Sequence, residues 1–140
     1  MDEYTLRQEL LNGEDTTHQF KRQLPDRNDL QKEIAAFLNT RGGKMFIGVE
    51  DDGSISGIAV EELGQHFDNA ISNACSDGIR PPCSVLTTNV RTDEGIVVVL
   101  EIPDGPAKPY LTSNGSLYVK RGADKRKVTE QSEFLSLIHI

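Results

Sequence analysis

Two groups of residues in this chain have the types and spacing to do chemistry. One is acidic: Glu50-Asp51-Asp52-Gly53 gathers three carboxylates where an apolar run ends. Hard anionic oxygens in that number hold Mg²⁺ or Mn²⁺ and lower the pKa of a bound water. The same residues spell a reverse turn, because Asp supplies side-chain acceptors and Gly a positive φ; both readings stand. The other group is basic: Lys120, Arg121, Lys125, Arg126 and Lys127. Cations at that density either contact phosphates or line a solvated loop. Lys21 and Arg22 add a further pair, and Lys44 with Arg41 flanks Gly42-Gly43. That glycine pair fits the close approach of a phosphate and fits helix termination equally.

These residues need elements to position them. Leu30, Ile34, Phe37 and Leu38 recur at helical spacing. Asn39-Thr40-Arg41-Gly42-Gly43 stops that helix, since Asn and Gly tolerate the left-handed closing conformation. Met45 to Val49 is apolar without alternation, as in a central strand covered on both faces. Ser54 to Ile58 reads as a return strand that forms a hairpin with it. Upstream, Tyr4, Leu6, Leu10 and Leu11 predict a short helix ended by Asn12-Gly13. His18 to Leu24 reads as a strand with Phe20 on one face and Gln19 and Lys21 on the other. Asp26 or Asn28 is the cap of the helix that follows.

Downstream, Leu63, Phe67, Ala70, Ile71 and Ala74 predict a second long helix from Val60 to about Ala74. Pro81-Pro82 is a rigid link. Cys83 to Arg91 and Gly95 to Ile102 form a hairpin, and a second one turns at Ser113-Asn114-Gly115. Gly122 to Arg126 reads as a polar, basic loop. Thr129 opens a final helix of residues 129–138, and the apolar tail Phe134 to Ile140 calls for a cover: the core, a further domain or a second copy. The sum is one mixed α+β domain over residues 1–140, a single mixed sheet with helices packed on it.

Composition narrows the function classes. With 36% hydrophobic and 26% charged residues, the chain has the make-up of a soluble globular protein. A net charge of −7 argues against polyanion binding by the whole surface. The charge is uneven, however: residues 1–103 hold nine Lys/Arg against eighteen Asp/Glu, and residues 104–140 hold six against four. A local basic patch on an acidic protein follows. Cys75 and Cys83 lack CxxC spacing and clustered His partners, which excludes a structural zinc site and fits reduced cytoplasmic thiols. No basic-then-apolar leader and no long apolar run are present, so neither secretion nor a membrane role is expected. There is no GxxxxGK[ST] loop, His18 and His66 are not spaced as ligands, and no Ser/His/Asp motif stands out. Tyr110 and Tyr118 are candidates for base stacking or for packing.

Taken in order, certain runs resemble a known family. They are Gln19-Phe20-Lys21, Ile34 to Gly43, Phe46 to Gly53, Ile55-Ser56-Gly57, Pro109-Tyr110 and Tyr118 to Gly122. The set, spanning roughly residues 14–122, resembles the Alba-like domain of the Schlafen superfamily, found in bacterial proteins described as transcriptional regulators. The resemblance implies nucleic-acid binding and, in some animal relatives, a metal-dependent endonuclease with three carboxylates. Carried over, those positions are Glu14, Gln19 and Asp51. Glu14 and Asp51 keep the acidic type, as catalytic or metal-binding residues of the nuclease reading. Gln19 does not, because a neutral amide offers one carbonyl oxygen and no charge to a cation.

Binding is therefore expected ahead of cutting. The expected function is a nucleic-acid-binding module of a cytoplasmic bacterial regulator, with DNA ahead of RNA as partner. Lys21, Arg22, Lys44, Lys120, Arg121, Lys125, Arg126 and Lys127 are the phosphate-contacting candidates. No cofactor is expected unless the nuclease reading holds, in which case the ion is Mg or Mn. The alternatives are a divalent-metal-dependent endoribonuclease-like domain and a non-enzymatic interaction or ligand-sensing module. A homodimer and a C-terminal regulatory domain are the further expected partners.

Overall fold

The computed structural model describes residues 1–129. Helix α1 (Glu3–Leu11) starts where the Asp2 side chain accepts from the Thr5 amide. It is followed by β1 (His18–Lys21), α2 (Arg27–Thr40) and β2 (Gly43–Ile47). Asp26, one of the two expected caps, opens α2 by accepting from the Asp29 amide at 2.9 Å. Next come α3 (Gln65–Ser76), β3 (Ile79–Arg80), β4 (Leu86–Thr92) and β5 (Gly95–Ile102). Strands β6 (Leu111–Thr112), β7 (Tyr118–Arg121) and β8 (Asp124–Lys127) complete the described chain.

The main sheet runs β1-β2-β5-β4, and two ribbons, β3-β6 and β7-β8, stand apart from it. β1 lies parallel to β2, while β2-β5 and β5-β4 are antiparallel, so the sheet is mixed. This is the expected α+β class. Both faces are covered, which explains the unbroken apolar runs of β2 and β5. Met45, Ile47, Val98 and Leu100 pack with α2 and α3. Phe46, Val97 and Val99 pack with Leu6 and Leu10 of α1 on the opposite face. Tyr4 and Leu11, read as part of the α1 stripe, are instead 73% and 78% exposed.

Several expected elements differ. The strand expected from His18 to Leu24 ends at Lys21, and the hairpin at Ser113-Asn114-Gly115 keeps one bridge, Leu111 to Leu117, because β6 pairs with β3 and β7 with β8. The long helix from Val60 is divided: a 3-10 turn at Val60–Glu62 is separated from α3 by Leu63-Gly64. The return strand Ser54 to Ile58 is reduced to single bridges, Val49 to Ile55 and Ile58 to Ile96, because β5 already occupies the free edge of β2. The basic loop is a strand: Asp124 to Lys127 pairs with Tyr118 to Arg121 as the β7-β8 hairpin. The expected helix of residues 129–138 and the apolar tail from Phe134 lie outside the described residues.

The Gly42-Gly43 turn proves to be a site of close backbone approach within the chain itself. A Cβ on Gly42 (φ +72°) would stand 2.5 Å from the Asp104 amide nitrogen, and one on Gly43 would stand 2.4 Å from the Thr17 carbonyl. Neither position is open to a phosphate. Gly42→Ala is expected to cost at least about 2 kcal/mol, from the left-handed φ and the contact together. Urea denaturation measures it, and a loss below about 0.5 kcal/mol would mean that the loop relaxes around the new methyl.

Candidate nucleic-acid interface

The Asn-Thr-x-Gly-Gly run that ends α2 is where the basic hairpin is fastened. Asn39 is buried, and its Nδ2 donates to the Tyr110 and Tyr118 carbonyls at 2.8 and 2.9 Å. Its Oδ1 accepts from the Tyr110 amide at 2.7 Å. Thr40 Oγ1 donates back to the Ala36 carbonyl and accepts from the Lys120 amide, each at 2.8 Å. α2 thus holds the entry to β7 by side-chain bonds alone. Tyr110 is buried, and its hydroxyl accepts from the Ala107 amide at 3.0 Å, so its ring is packing and not a stacking platform. Tyr118 is half-buried, with Lys32 Nζ 5.6 Å from its ring centroid.

The register of β7-β8 sorts the five bases of the hairpin. Directly paired residues share a face, and faces alternate along each strand. Lys120 pairs with Lys125 on the face turned toward α2 and β1, together with Tyr118 and Lys127. Val119 pairs with Arg126, and Arg121 with Asp124, on the opposite face. Sequence reading had treated all five as equivalent.

The inward lysines are heavily engaged. Lys120 is 6% exposed; its ammonium donates to Gln19 Oε1 at 2.6 Å and to the Ala123 carbonyl at 2.8 Å. It also sits 4.7 Å from the Phe37 ring centroid. Burial pulls its pKa below the ordinary lysine value, against the opposing pull of Glu33 and Glu14. Lys125 Nζ meets Glu33 Oε1 at 2.8 Å and Asp29 Oδ1 at 3.0 Å, and Lys21 Nζ meets the same Glu33 oxygen at 3.1 Å. Burial opposes the charge of Lys125, but its hydrogen bonds to Glu33 and Asp29 leave its pKa raised. Burial likewise pushes the Asp29 carboxyl up, and the bond and charge of Lys125 outweigh it, so Asp29 titrates below the usual range. Lys44 Nζ is held by Glu9 Oε1 at 2.8 Å.

Glu9, Asp29 and Glu33 were not singled out from the sequence. One signal was present for the last two. Asp29 and Glu33 are four apart on α2, a like-charge pairing that is unfavourable unless cations meet it. Arg22 is different: its side chain is 77% exposed, with only a 3.6 Å pairing to Glu50. Arg121 and Lys127 are exposed as well. Arg126 is half-buried.

The nuclease positions do not assemble into a cation site. Glu14 Oε1 accepts from the Phe20 amide at 2.7 Å and from Gln19 Nε2 at 3.1 Å. The other end of the Gln19 amide accepts the Lys120 ammonium, so a positive charge already stands on the one oxygen Gln19 can offer. A divalent ion there would face that charge directly. Asp51 is exposed, and its neighbour Asp52 folds onto Ser54, accepting from its amide at 2.9 Å and its hydroxyl at 2.6 Å. That is turn chemistry. Among the described residues no group of three His, Cys, Asp or Glu side chains is placed to hold a metal ion. The residues present do not fit Mg²⁺ or Mn²⁺.

The family model of the Schlafen, AlbA_2 domain matches residues 14–129, from the Glu14 anchor to the end of the β7-β8 hairpin. The chain belongs to this family. Solved structures agree in fold. The DIP2311 protein of Corynebacterium diphtheriae superposes with a TM-score of 0.61 at 22% identity, over 87% of this chain and 23% of that one. The Schlafen AlbA_2 chain thus spans about a quarter of that relative's length. A second likeness is the N-terminal domain of a Nitrosomonas europaea protein whose name relates it to the ATP-dependent DNA helicase RecG. It has a TM-score of 0.57 at 16% identity and covers 91% of this chain and 94% of that one. At these identities the likeness speaks for the AlbA_2 fold alone. No helix among the described residues is long and apolar enough to cross a membrane.

Proposed function

We propose that this domain binds nucleic acid by setting the exposed cations of the β7-β8 ribbon, Arg121 and Lys127, against phosphates. The observation that carries the reading is the division of the ribbon's cations into braced and exposed ones. Lys120 and Lys125 anchor the ribbon inward, which leaves Arg121 and Lys127 exposed at its surface. Arg22, on the chain leaving β1, adds a further exposed cation. An acidic protein that holds cations forward on a braced ribbon gains a local positive field without general polyanion affinity.

DNA is the favoured partner. A two-stranded ribbon fits the B-form major groove, whereas the A-form major groove of RNA is too narrow for side chains to read. The kinship in name of one structural neighbour to a DNA helicase supports the same choice. Contacts of this kind position a protein and carry little sequence information. The role is that of a DNA-contacting module beside other domains, as in a cytoplasmic transcriptional regulator. The reading uses no metal and assigns no cleavage step to Glu14 or Asp51.

The test is fluorescence anisotropy with labelled DNA and RNA duplexes at low salt. Arg121→Glu with Lys127→Glu should weaken DNA binding by about tenfold or more, since two phosphate contacts turn into repulsions. Absence of binding to either duplex, or an affinity unchanged by the double reversal, would overturn the proposal.

A further inference from the structure

The two cysteines, eight positions apart and unremarkable in the sequence, are brought face to face. Cys75 lies in the last turn of α3 and Cys83 just before β4, and the Cys83 amide donates to the Cys75 carbonyl at 3.0 Å. A direct backbone hydrogen bond keeps two α-carbons inside the span of about 4.4–6.8 Å that a disulfide bridges. Both are free thiols. Both also line one cavity of about 480 Å³, together with Asp68, Ser72 and Ser84. Cys75 is 7% exposed and Cys83 is half-buried, so the cavity is the route by which a small reagent reaches them.

We propose that Cys75 and Cys83 are a dithiol modification site, which closes reversibly to an intramolecular disulfide by exchange with a low-molecular-weight disulfide such as oxidised glutathione. The neighbouring Cys83 thiol holds Cys75 below the ordinary thiol range against its burial, and the Cys75 thiol together with burial holds Cys83 above it. One of the pair attacks as the thiolate: its sulfur bonds to one sulfur of the reagent, and the other leaves as a thiolate that takes up the proton of the attacking cysteine. The second cysteine then gives up its proton and attacks the protein sulfur of the mixed disulfide, expelling the second reagent thiolate, which is protonated in turn. Two electrons pass from the protein to the reagent, and one bond joins α3 to the approach of β4. The closed loop contains Ile79 and Arg80 of β3, which are paired with β6, so closure braces the ribbon on the path to β7.

The purified full chain is incubated with oxidised glutathione, alkylated, and examined by intact mass and by non-reducing peptide mapping. The expected product is lighter by two hydrogens, carries a Cys75 to Cys83 link, has lost both alkylatable thiols together, and reverts with dithiothreitol. Cys83→Ser and Cys75→Ser should each stop at one glutathione, on Cys75 and on Cys83 respectively. A wild-type chain that ends with two glutathiones, that forms cross-chain dimers, or that keeps both thiols free would overturn the proposal.

Discussion

Asn39→Ala is expected to lower the unfolding free energy by about 3–5 kcal/mol, the largest effect of any single polar substitution considered. The side chain makes three bonds from a buried position: two as donor and one as acceptor. Truncation strands the Tyr110 amide and the two carbonyls, each at the cost of an unsatisfied buried group, about 1–3 kcal/mol before relaxation. Asn39→Asp discriminates the parts, because it keeps the acceptor for the Tyr110 amide while turning two donated bonds into repulsions with carbonyl oxygens. Equilibrium denaturation in urea gives the loss. Amide exchange should show that the β7-β8 hairpin opens more readily than the main sheet, since Asn39 ties α2 to the start of β7. A loss under about 1 kcal/mol would show that water replaces these bonds.

Glu33→Gln is the second large effect, expected at about 2–4 kcal/mol. Glu33 is 3% exposed and faces two ammonium groups, those of Lys21 and Lys125. Breaking a fully buried pair costs about 3–5 kcal/mol, and the figure here is lower because each lysine keeps about a fifth of its exposure. Asp29 also remains to hold Lys125. A double-mutant cycle with Lys125→Met isolates the pair, with a coupling of about 1–3 kcal/mol expected. A coupling near zero would mean that the Glu33 contact adds nothing to the fastening by Asn39, Thr40, Gln19 and Asp29. The cycle bears on function, because the Glu33 contacts are what turn Lys125 inward.

Much of the fold was legible from pattern. The α2 stripe from Leu30 to Leu38, the apolar runs of β2 and β5 and the turn at Asp93-Glu94 all carry strong periodicity or turn chemistry, and each formed as expected. What was missed lacks a hydrophobic signature. Asp124-Lys125-Arg126-Lys127 has no apolar residue, so nothing in the pattern marks a strand. It is a strand because β7 pairs with it and because carboxylates of α2, far away in sequence, receive its lysine. The division of the helix at Leu63-Gly64 was masked by an inward stripe that continues in Phe67, Ile71 and Ala74.

At the site, residue type was readable and direction was not. Lys120 and Lys125 differ from Arg121 only by register, and register depends on the partner strand. The Asn-Thr-x-Gly-Gly run was read as a helix stop; it also holds the hairpin, through bonds whose partners lie some eighty residues downstream.

The account's central claim is that the exposed bases Arg121 and Lys127 meet phosphates and the braced lysines do not. The salt dependence of duplex DNA binding tests it most directly, because the slope of log K against log salt falls by about 0.9 for each B-DNA phosphate contact removed. Arg121→Ala and Lys127→Ala should each flatten the slope by about that amount, while Lys44→Ala, which removes a cation held by Glu9, should leave it unchanged. A slope that flattens for Lys44→Ala and stays at the wild-type value for Arg121→Ala and Lys127→Ala would contradict the account.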